Sequence, residues 1–131
     1  MVSLHPSGTQ RPLALIADQD DDTREMYALY LSARGILVVE AHDGAEAVAQ
    51  AQGLRPDIIT TDLALRDCGS GLCAQLKEHD TTKNIPVIAV TGRAVPTEIA
   101  NALAAGCMAV LVKPCLPDEL LSEIKRVLRL P

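Results

Sequence analysis

The chain has 131 residues, 48% of them hydrophobic, and a formal net charge of −5 at pH 7. This length allows one domain with a complete core, and the absence of Trp and Phe makes that core aliphatic. There is no basic stripe, which argues against nucleic-acid binding by this chain alone, and no apolar run approaches the ~20 residues of a membrane span.

Residues 1–11 are polar and without periodicity, so we expect a flexible N-terminal leader followed by one domain over 12–131. The leader lacks the apolar region of a signal peptide, and we expect a cytoplasmic protein. The cysteines have no C-x-x-C spacing and are expected to be reduced and mostly buried. They are Cys68, Cys73, Cys107 and Cys115.

The first element is an apolar run over 13–17 that reads as a strand buried on both faces and ends at Asp18. A helix over about 21–34 follows, with Asp20 or Asp21 as its N-cap and Gly35 after its end. Helical spacing predicts a buried face made of Met26, Leu29, Tyr30 and Ala33.

The same alternation of strand and helix continues to the end of the chain. Further strands are predicted over about 36–40, 57–61, 86–90 and 108–112, and further helices over about 44–53, 71–78, 96–105 and 117–129. Gly53 and Gly106 are expected to end two of these helices. Five such repeats predict an α/β fold in three layers, a doubly wound five-stranded parallel sheet with five helices on its two faces.

Polar side chains follow four of the predicted strands. They are Asp18, Asp62, Thr91 and Lys113. Because the carboxyl ends of parallel strands lie at one edge of a sheet, we expect these residues to converge in one crevice. Two carboxylates brought together there repel each other and favour a hard divalent cation such as Mg2+.

These residue types suit phosphoryl transfer. Asp62 can act as a carboxylate nucleophile, and Asp18 with neighbouring oxygens can hold the metal. Lys113 supplies a cation for one phosphoryl oxygen and Thr91 a hydroxyl donor for another. Phosphoryl transfer needs little more from a protein than positioning and stabilisation of charge.

Several segments together resemble receiver domains of two-component response regulators, the chemotaxis-Y-like family. The segment over 18–24 resembles the family's acidic opening with its following Arg, and 57–63 resembles the strand that carries the phosphoacceptor. The segment over 41–47 resembles the start of the second helix, 85–92 the strand that ends in a hydroxyl, and 111–114 the Lys-Pro strand. The resemblance covers about residues 12–130.

The resemblance implies a flavodoxin-like strand order, 2-1-3-4-5, and a phosphorelay role. Asp62 would accept a phosphoryl group from a histidine kinase or histidine phosphotransfer protein, with Mg2+, which Mn2+ can replace. The metal ligands would be Asp18, Asp62 and the backbone carbonyl of Ala64, with Gln19 and Asp20 as further candidates. The resemblance also implies a cis Lys113-Pro114 peptide bond. The chain would be a signalling domain, not an enzyme beyond self-phosphorylation from donors and autodephosphorylation.

The expected partner surfaces also follow from the resemblance. The phosphoryl donor would contact the first helix and the loops around Asp62. The face made by 96–105, 108–112 and 117–129 would serve output or dimerisation. The sequence does not identify the downstream effector.

Two positions depart from the family's pattern. Gln19 stands where a second acid is usual, and Val110 stands where an aromatic residue is usual. They motivate an alternative function, a degenerate receiver that binds partners without phosphorylation. A haloacid-dehalogenase-like phosphatase is a further alternative, because Asp18-Gln19-Asp20 has its Asp-x-Asp spacing, although a later acidic pair at a strand end is missing.

Overall fold

A computed structural model describes residues 3–4, 10–65, 71–92 and 95–131 of the chain. Cys68 therefore lies outside the described residues, as does most of the predicted leader. Within that leader, Ser3–Leu4 pairs antiparallel with Gln10–Arg11. The flexibility of the leader stays a prediction.

Five strands form one parallel sheet in the order β2-β1-β3-β4-β5, which confirms the predicted fold and strand order. The strands are β1 (Leu13–Ala17), β2 (Leu37–Ala41), β3 (Ile58–Thr61), β4 (Val87–Thr91) and β5 (Ala109–Val112). The helices are α1 (Asp21–Ala33), α2 (Gly44–Leu54), α3 (Leu72–Lys77), α4 (Pro96–Ala104) and α5 (Pro117–Leu128).

The helix starts follow the local chemistry of the sequence. Asp20 and Asp43 are N-caps whose carboxylates accept backbone N–H bonds from the first turns of α1 and α2. Pro96 and Pro117 open α4 and α5, where a missing N–H costs no helical hydrogen bond. These caps fix where each helix leaves the carboxyl edge of the sheet.

The sheet separates two apolar clusters, one on each face. One cluster contains Leu15, Ile59 and Leu76, and the other contains Ile16 and Ile124, all with 0–1% of their surface exposed. Neighbouring residues of a strand point to opposite faces, so β1 contributes alternately to both clusters. This explains why its sequence is apolar without interruption.

The predicted buried face of α1 is wrong. Met26 and Leu29 are 44% and 75% exposed, and Ala33 is also exposed. The buried residues are Tyr27, Ala28 and Leu31, and of the four predicted residues only Tyr30, which is half-buried, packs against the core. Six consecutive apolar residues over 26–31 surround the helix on all sides, so spacing alone cannot identify the face that meets the sheet.

The predicted end of α2 at Gly53 is also wrong. The helix continues to Leu54, and Arg55 takes the left-handed conformation at its end with φ of 48°. Gly53 is therefore an interior helical residue with open space around its Cα. Gly106, in contrast, has a φ of +109° and does stand after the end of α4.

None of the helices in the described part of the chain is long and apolar enough to cross a membrane.

Replacing each of these two glycines by alanine should change stability in opposite directions. Gly53→Ala should raise the free energy of unfolding by about 0.5–1 kcal/mol, because alanine costs less backbone entropy in a helix. Gly106→Ala should lower it by about 1–2 kcal/mol, since a left-handed alanine is strained. Its Cβ would also lie 3.0 Å from Cε of Lys77. Urea unfolding measures both, and two changes of the same sign would contradict this account.

Candidate functional site

The four predicted strand-end residues all lie at the carboxyl edge of the sheet. Backbone hydrogen bonds to neighbouring strands hold three of them in place: Asp18 N to Ala41 O (3.0 Å), Asp62 N to Ala17 O (3.1 Å) and Lys113 N to Thr91 O (2.7 Å). These bonds extend the parallel ladder one residue past the strands. The polar side chains are thus carried by the most regular part of the fold.

Lys113 joins the two predicted carboxylates. Its Nζ donates to Oδ2 of Asp62 at 2.8 Å and to Oδ2 of Asp18 at 3.2 Å. Burial alone would lower the pKa of Lys113, but the hydrogen bonds and charges of Asp62 and Asp18 outweigh burial and raise that pKa above its ordinary value. One ammonium against two carboxylates leaves one net negative charge at the edge of the sheet.

Asp62 is the more accessible of the two carboxylates. Its side chain is 12% exposed, whereas that of Asp18 is 5% exposed. Oδ1 of Asp62 accepts the backbone N–H of Ala64 at 2.8 Å, which fixes the turn after β3. The structure therefore brings Ala64 beside Asp62, and the role of its carbonyl as a metal ligand stays a prediction.

Arg24 organises the backbone at Asp18. Its Nη1 donates to the carbonyl oxygen of Asp18 at 2.9 Å, and its other nitrogens bind Glu40 and Asp21 at 3.0 and 2.8 Å. The sequence motif contains this arginine, but its positioning role was not predicted. One signal in the sequence could have indicated this role. Arg24 stands six residues after the strand-end acid Asp18 and one helical turn into α1.

Asp20 has the capping role predicted for it. Its Oδ2 accepts the backbone N–H of Thr23 at 3.3 Å and also the Thr23 hydroxyl. The hydrogen bond from that hydroxyl lowers the pKa of Asp20. A metal would compete with Thr23 for this oxygen, so the cap weakens the case for Asp20 as a ligand.

A cavity of about 320 Å³ opens beside Asp62. Thr91 lies in the same cavity wall and is buried, which brings a hydroxyl-bearing side chain to the space beside the carboxylate. The lining also includes Glu98 and Asn101 of α4, Cys73 of α3 and Cys107 of the α4–β5 turn. The Asp62 side chain therefore borders a space that a small molecule can enter.

The donor set fits Mg2+. Within the described ranges, no group of three or more His, Cys, Asp or Glu residues could hold a metal ion. Mg2+ does not need such a group, because it binds through one or two carboxylates and completes its octahedron with water and phosphate oxygens. Asp18 and Asp62 meet that requirement, and Gln19 as a metal ligand stays a prediction.

Tyr27 holds the segment after β5. Its hydroxyl donates to the carbonyl oxygen of Cys115 at 2.8 Å, in a buried contact between residues 88 apart in sequence. Cys115 follows the Lys113-Pro114 bond, which is cis as predicted. Tyr27 therefore fixes the chain two residues beyond the site lysine, a role that the sequence did not reveal.

A model of the response regulator receiver domain matches residues 14–125. The chain belongs to this family. It is 34% identical over 117 residues to the phosphate regulon transcriptional regulatory protein PhoB of Escherichia coli, covering 88% of this chain and 51% of that protein. It is also 34% identical over 116 residues to response regulator MprA of Mycobacterium ulcerans, covering 88% and 49%. The receiver domain thus spans about half the length of these relatives.

Solved structures agree with this family. The chemotaxis protein CheY4 of Vibrio cholerae has a TM-score of 0.83 and 30% identity, covering 89% of this chain and 98% of that one. A putative response regulator from Chloroflexus aurantiacus has a TM-score of 0.84 and 32% identity, covering 91% and 98%. The chain is a receiver domain of the two-component signalling type, as its sequence predicted.

Removing the Tyr27 hydroxyl should destabilise this receiver domain. Tyr27→Phe leaves the buried Cys115 carbonyl without its donor and should lower the free energy of unfolding by about 1–2 kcal/mol. Tyr30→Phe is the matched control, because Tyr30 is only half-buried and stacks on the guanidinium of Arg34 at 4.1 Å. Denaturant unfolding measures both variants. If both lose the same free energy of unfolding, the role of the Tyr27 hydroxyl is contradicted.

The same contact predicts a dependence on alkaline pH. Burial raises the pKa of Tyr27 from 10.0 to about 12. The protonated hydroxyl therefore contributes stability that is complete below pH 10 and is lost as the pH rises through 12. The free energy of unfolding of Tyr27→Phe should fall less than that of the wild type as the pH rises through this interval. An equal fall in the two proteins would disprove the stabilising role of the Tyr27 hydroxyl.

Proposed function

We propose that this receiver domain accepts a phosphoryl group on Asp62 from a histidine kinase or a histidine phosphotransfer protein, with Mg2+. The observation that carries the proposal is the double hydrogen bond of Lys113 to Asp62 and Asp18. This contact joins a nucleophile, a second carboxylate and a cation at one sheet edge. Such an arrangement supplies the positioning and the charge stabilisation on which phosphoryl transfer depends.

In the proposed step, an oxygen of Asp62 forms a bond to phosphorus while the bond from phosphorus to the donor imidazole nitrogen breaks. The imidazole keeps the electron pair and takes up a proton. Lys113 stays beside Asp62 and binds an oxygen of the transferred group, and Thr91 donates its hydroxyl to another. Asp18 and Asp62 would hold Mg2+ with the Ala64 carbonyl, and the metal would offset repulsion between Asp62 and the phosphoryl group.

The exposed apolar residues support the proposed partner surfaces. Met26 and Leu29 give α1 an apolar face that a donor protein can cover. Leu103, Met108 and Leu116 are 48%, 57% and 58% exposed on or beside α4, β5 and α5, which supports that face for an effector or a second copy. The cytoplasm remains the expected compartment, since Cys73, Cys107 and Cys115 are free thiols.

Phosphodonor labelling tests the acceptor. With Mg2+ and acetyl phosphate, the wild type should gain the mass of one phosphoryl group, and Asp62→Asn should gain none. Asp57→Asn is the matched control, since Asp57 lies at the opposite end of β3, where its carboxylate accepts the Leu13 N–H at 2.8 Å. This control should be labelled like the wild type.

The labelling result also decides between the candidate functions. No mass gain in the wild type would favour a phosphorylation-independent interaction module, the alternative suggested by the sequence departures at Gln19 and Val110. Turnover of a generic phosphomonoester would favour the phosphatase alternative, which is weakened because Asp20 caps α1.

Gln19 should give a lower Mg2+ affinity than an aspartate at the same position. Gln19→Asp adds one negative charge beside Asp18, and Mg2+ affinity should rise about tenfold, because carboxylates bind this ion more strongly than a neutral amide does. Asp20→Asn is the control, because Asn keeps the cap and should change the affinity much less. Calorimetric titration measures both, and equal affinities of wild type and Gln19→Asp would disprove the prediction.

A further inference from the structure

Two thiols meet between α3 and the turn that joins α4 to β5. Cys73 is the second residue of α3, and Cys107 lies in that turn. Sγ of Cys73 donates to the Ala105 carbonyl oxygen at 3.3 Å, two residues before Cys107 in the chain. An ideal Cβ on Gly106 would lie 3.6 Å from the same sulfur. The Cys73 sulfur therefore packs directly against the turn that carries Cys107.

Both thiols are reached from the cavity beside Asp62. Cys73 and Cys107 are only 5% and 6% exposed, and buried thiols are usually inert. Here, however, both line the open 320 Å³ space, together with Asp62 and Thr91. Cys115 provides a contrast, because it is buried in the cluster on the opposite face of the sheet and is not part of that lining.

The surroundings favour the thiolate of Cys73. The neighbouring Cys107 thiol and, to a smaller extent, the ammonium of Lys77 lower the pKa of Cys73 to about 7 although burial raises it. The neighbouring Cys73 raises the pKa of Cys107 in turn, so the pair loses one proton before the other. A nucleophilic thiolate beside a second thiol is the arrangement found in disulfide-forming pairs.

We propose that Cys73 and Cys107 are a peroxide-sensitive thiol pair that closes to an intramolecular disulfide. The Cys73 thiolate attacks one oxygen of hydrogen peroxide, the O–O bond breaks, and hydroxide leaves and takes up a proton to become water. Cys107 then loses its proton and attacks the sulfur of the resulting sulfenic acid. The S–S bond forms, the S–O bond breaks, and the departing hydroxide becomes a second water, so two thiols and one peroxide give one disulfide and two waters.

The bridge would join the start of α3 to the turn after α4. Both segments line the cavity beside Asp62, so a covalent bond between them would tie two parts of its wall together. Neither thiol has a part in the proposed phosphoryl transfer. The oxidation is therefore a separate chemical property of this domain and can be tested without a phosphodonor.

The experiment must remove the thiols of Cys68 and Cys115. Trypsin leaves each of them in the same peptide as one member of the Cys73–Cys107 pair. No Lys or Arg lies between Cys68 and Cys73, and the only one between Cys107 and Cys115 is Lys113, which precedes proline. The Cys68→Ser/Cys115→Ala double variant leaves Cys73 and Cys107 alone. On addition of hydrogen peroxide, this monomer should lose the mass of two hydrogens and regain it on treatment with a reductant.

The complementary Cys73→Ser/Cys107→Ser variant should show no such loss. The wild type, oxidised and analysed by fragmentation of its peptides, should give the same Cys73–Cys107 bridge without relying on any variant. A bridge from Cys73 to Cys68, a disulfide-linked dimer, sulfinic acid without a disulfide, or no oxidation at all would each overturn the proposal.

Discussion

The contact of one ammonium with two carboxylates determines the organisation of this domain. Lys113 follows β5, Asp18 follows β1 and Asp62 follows β3, so the contact joins three strands of which one is not adjacent to the others. Without that cation, two carboxylates at a partly buried edge would repel each other. Lys113 can therefore balance the two carboxylates only because the strand order and the crossovers bring the ends of β1, β3 and β5 together.

The packing around this contact restrains both of its sides. Arg24 binds the Asp18 carbonyl from α1, and Tyr27, one turn later on the same helix, binds the Cys115 carbonyl beyond Lys113. A single helix thus positions the backbone on the carboxylate side and on the lysine side of the site. This shared support allows Lys113 to lie against the carboxylates although its strand is at the far edge of the sheet.

The sequence predicted the strands and the strand-end residues because buried parallel strands are uninterrupted apolar runs. It did not predict the buried face of α1, where six adjacent apolar residues leave the orientation to tertiary packing. The predicted end of α2 at Gly53 is wrong because glycine is also tolerated inside a helix. The residue that takes the left-handed conformation after this helix is Arg55. The contacts of Arg24 and Tyr27 depend on distances across the fold that no local pattern contains.

The separation of the site residues along the chain has a consequence for synthesis. Asp18 and Lys113 are 95 residues apart, so the two carboxylates leave the ribosome long before their counterion. Until β5 is made, the growing chain carries this acidic edge without Lys113, and the side of β4 that later pairs with β5 has no partner strand. The charge balance of the site is thus complete only once β5 and Lys113 have been made, and a chain that stops before β5 cannot contain it.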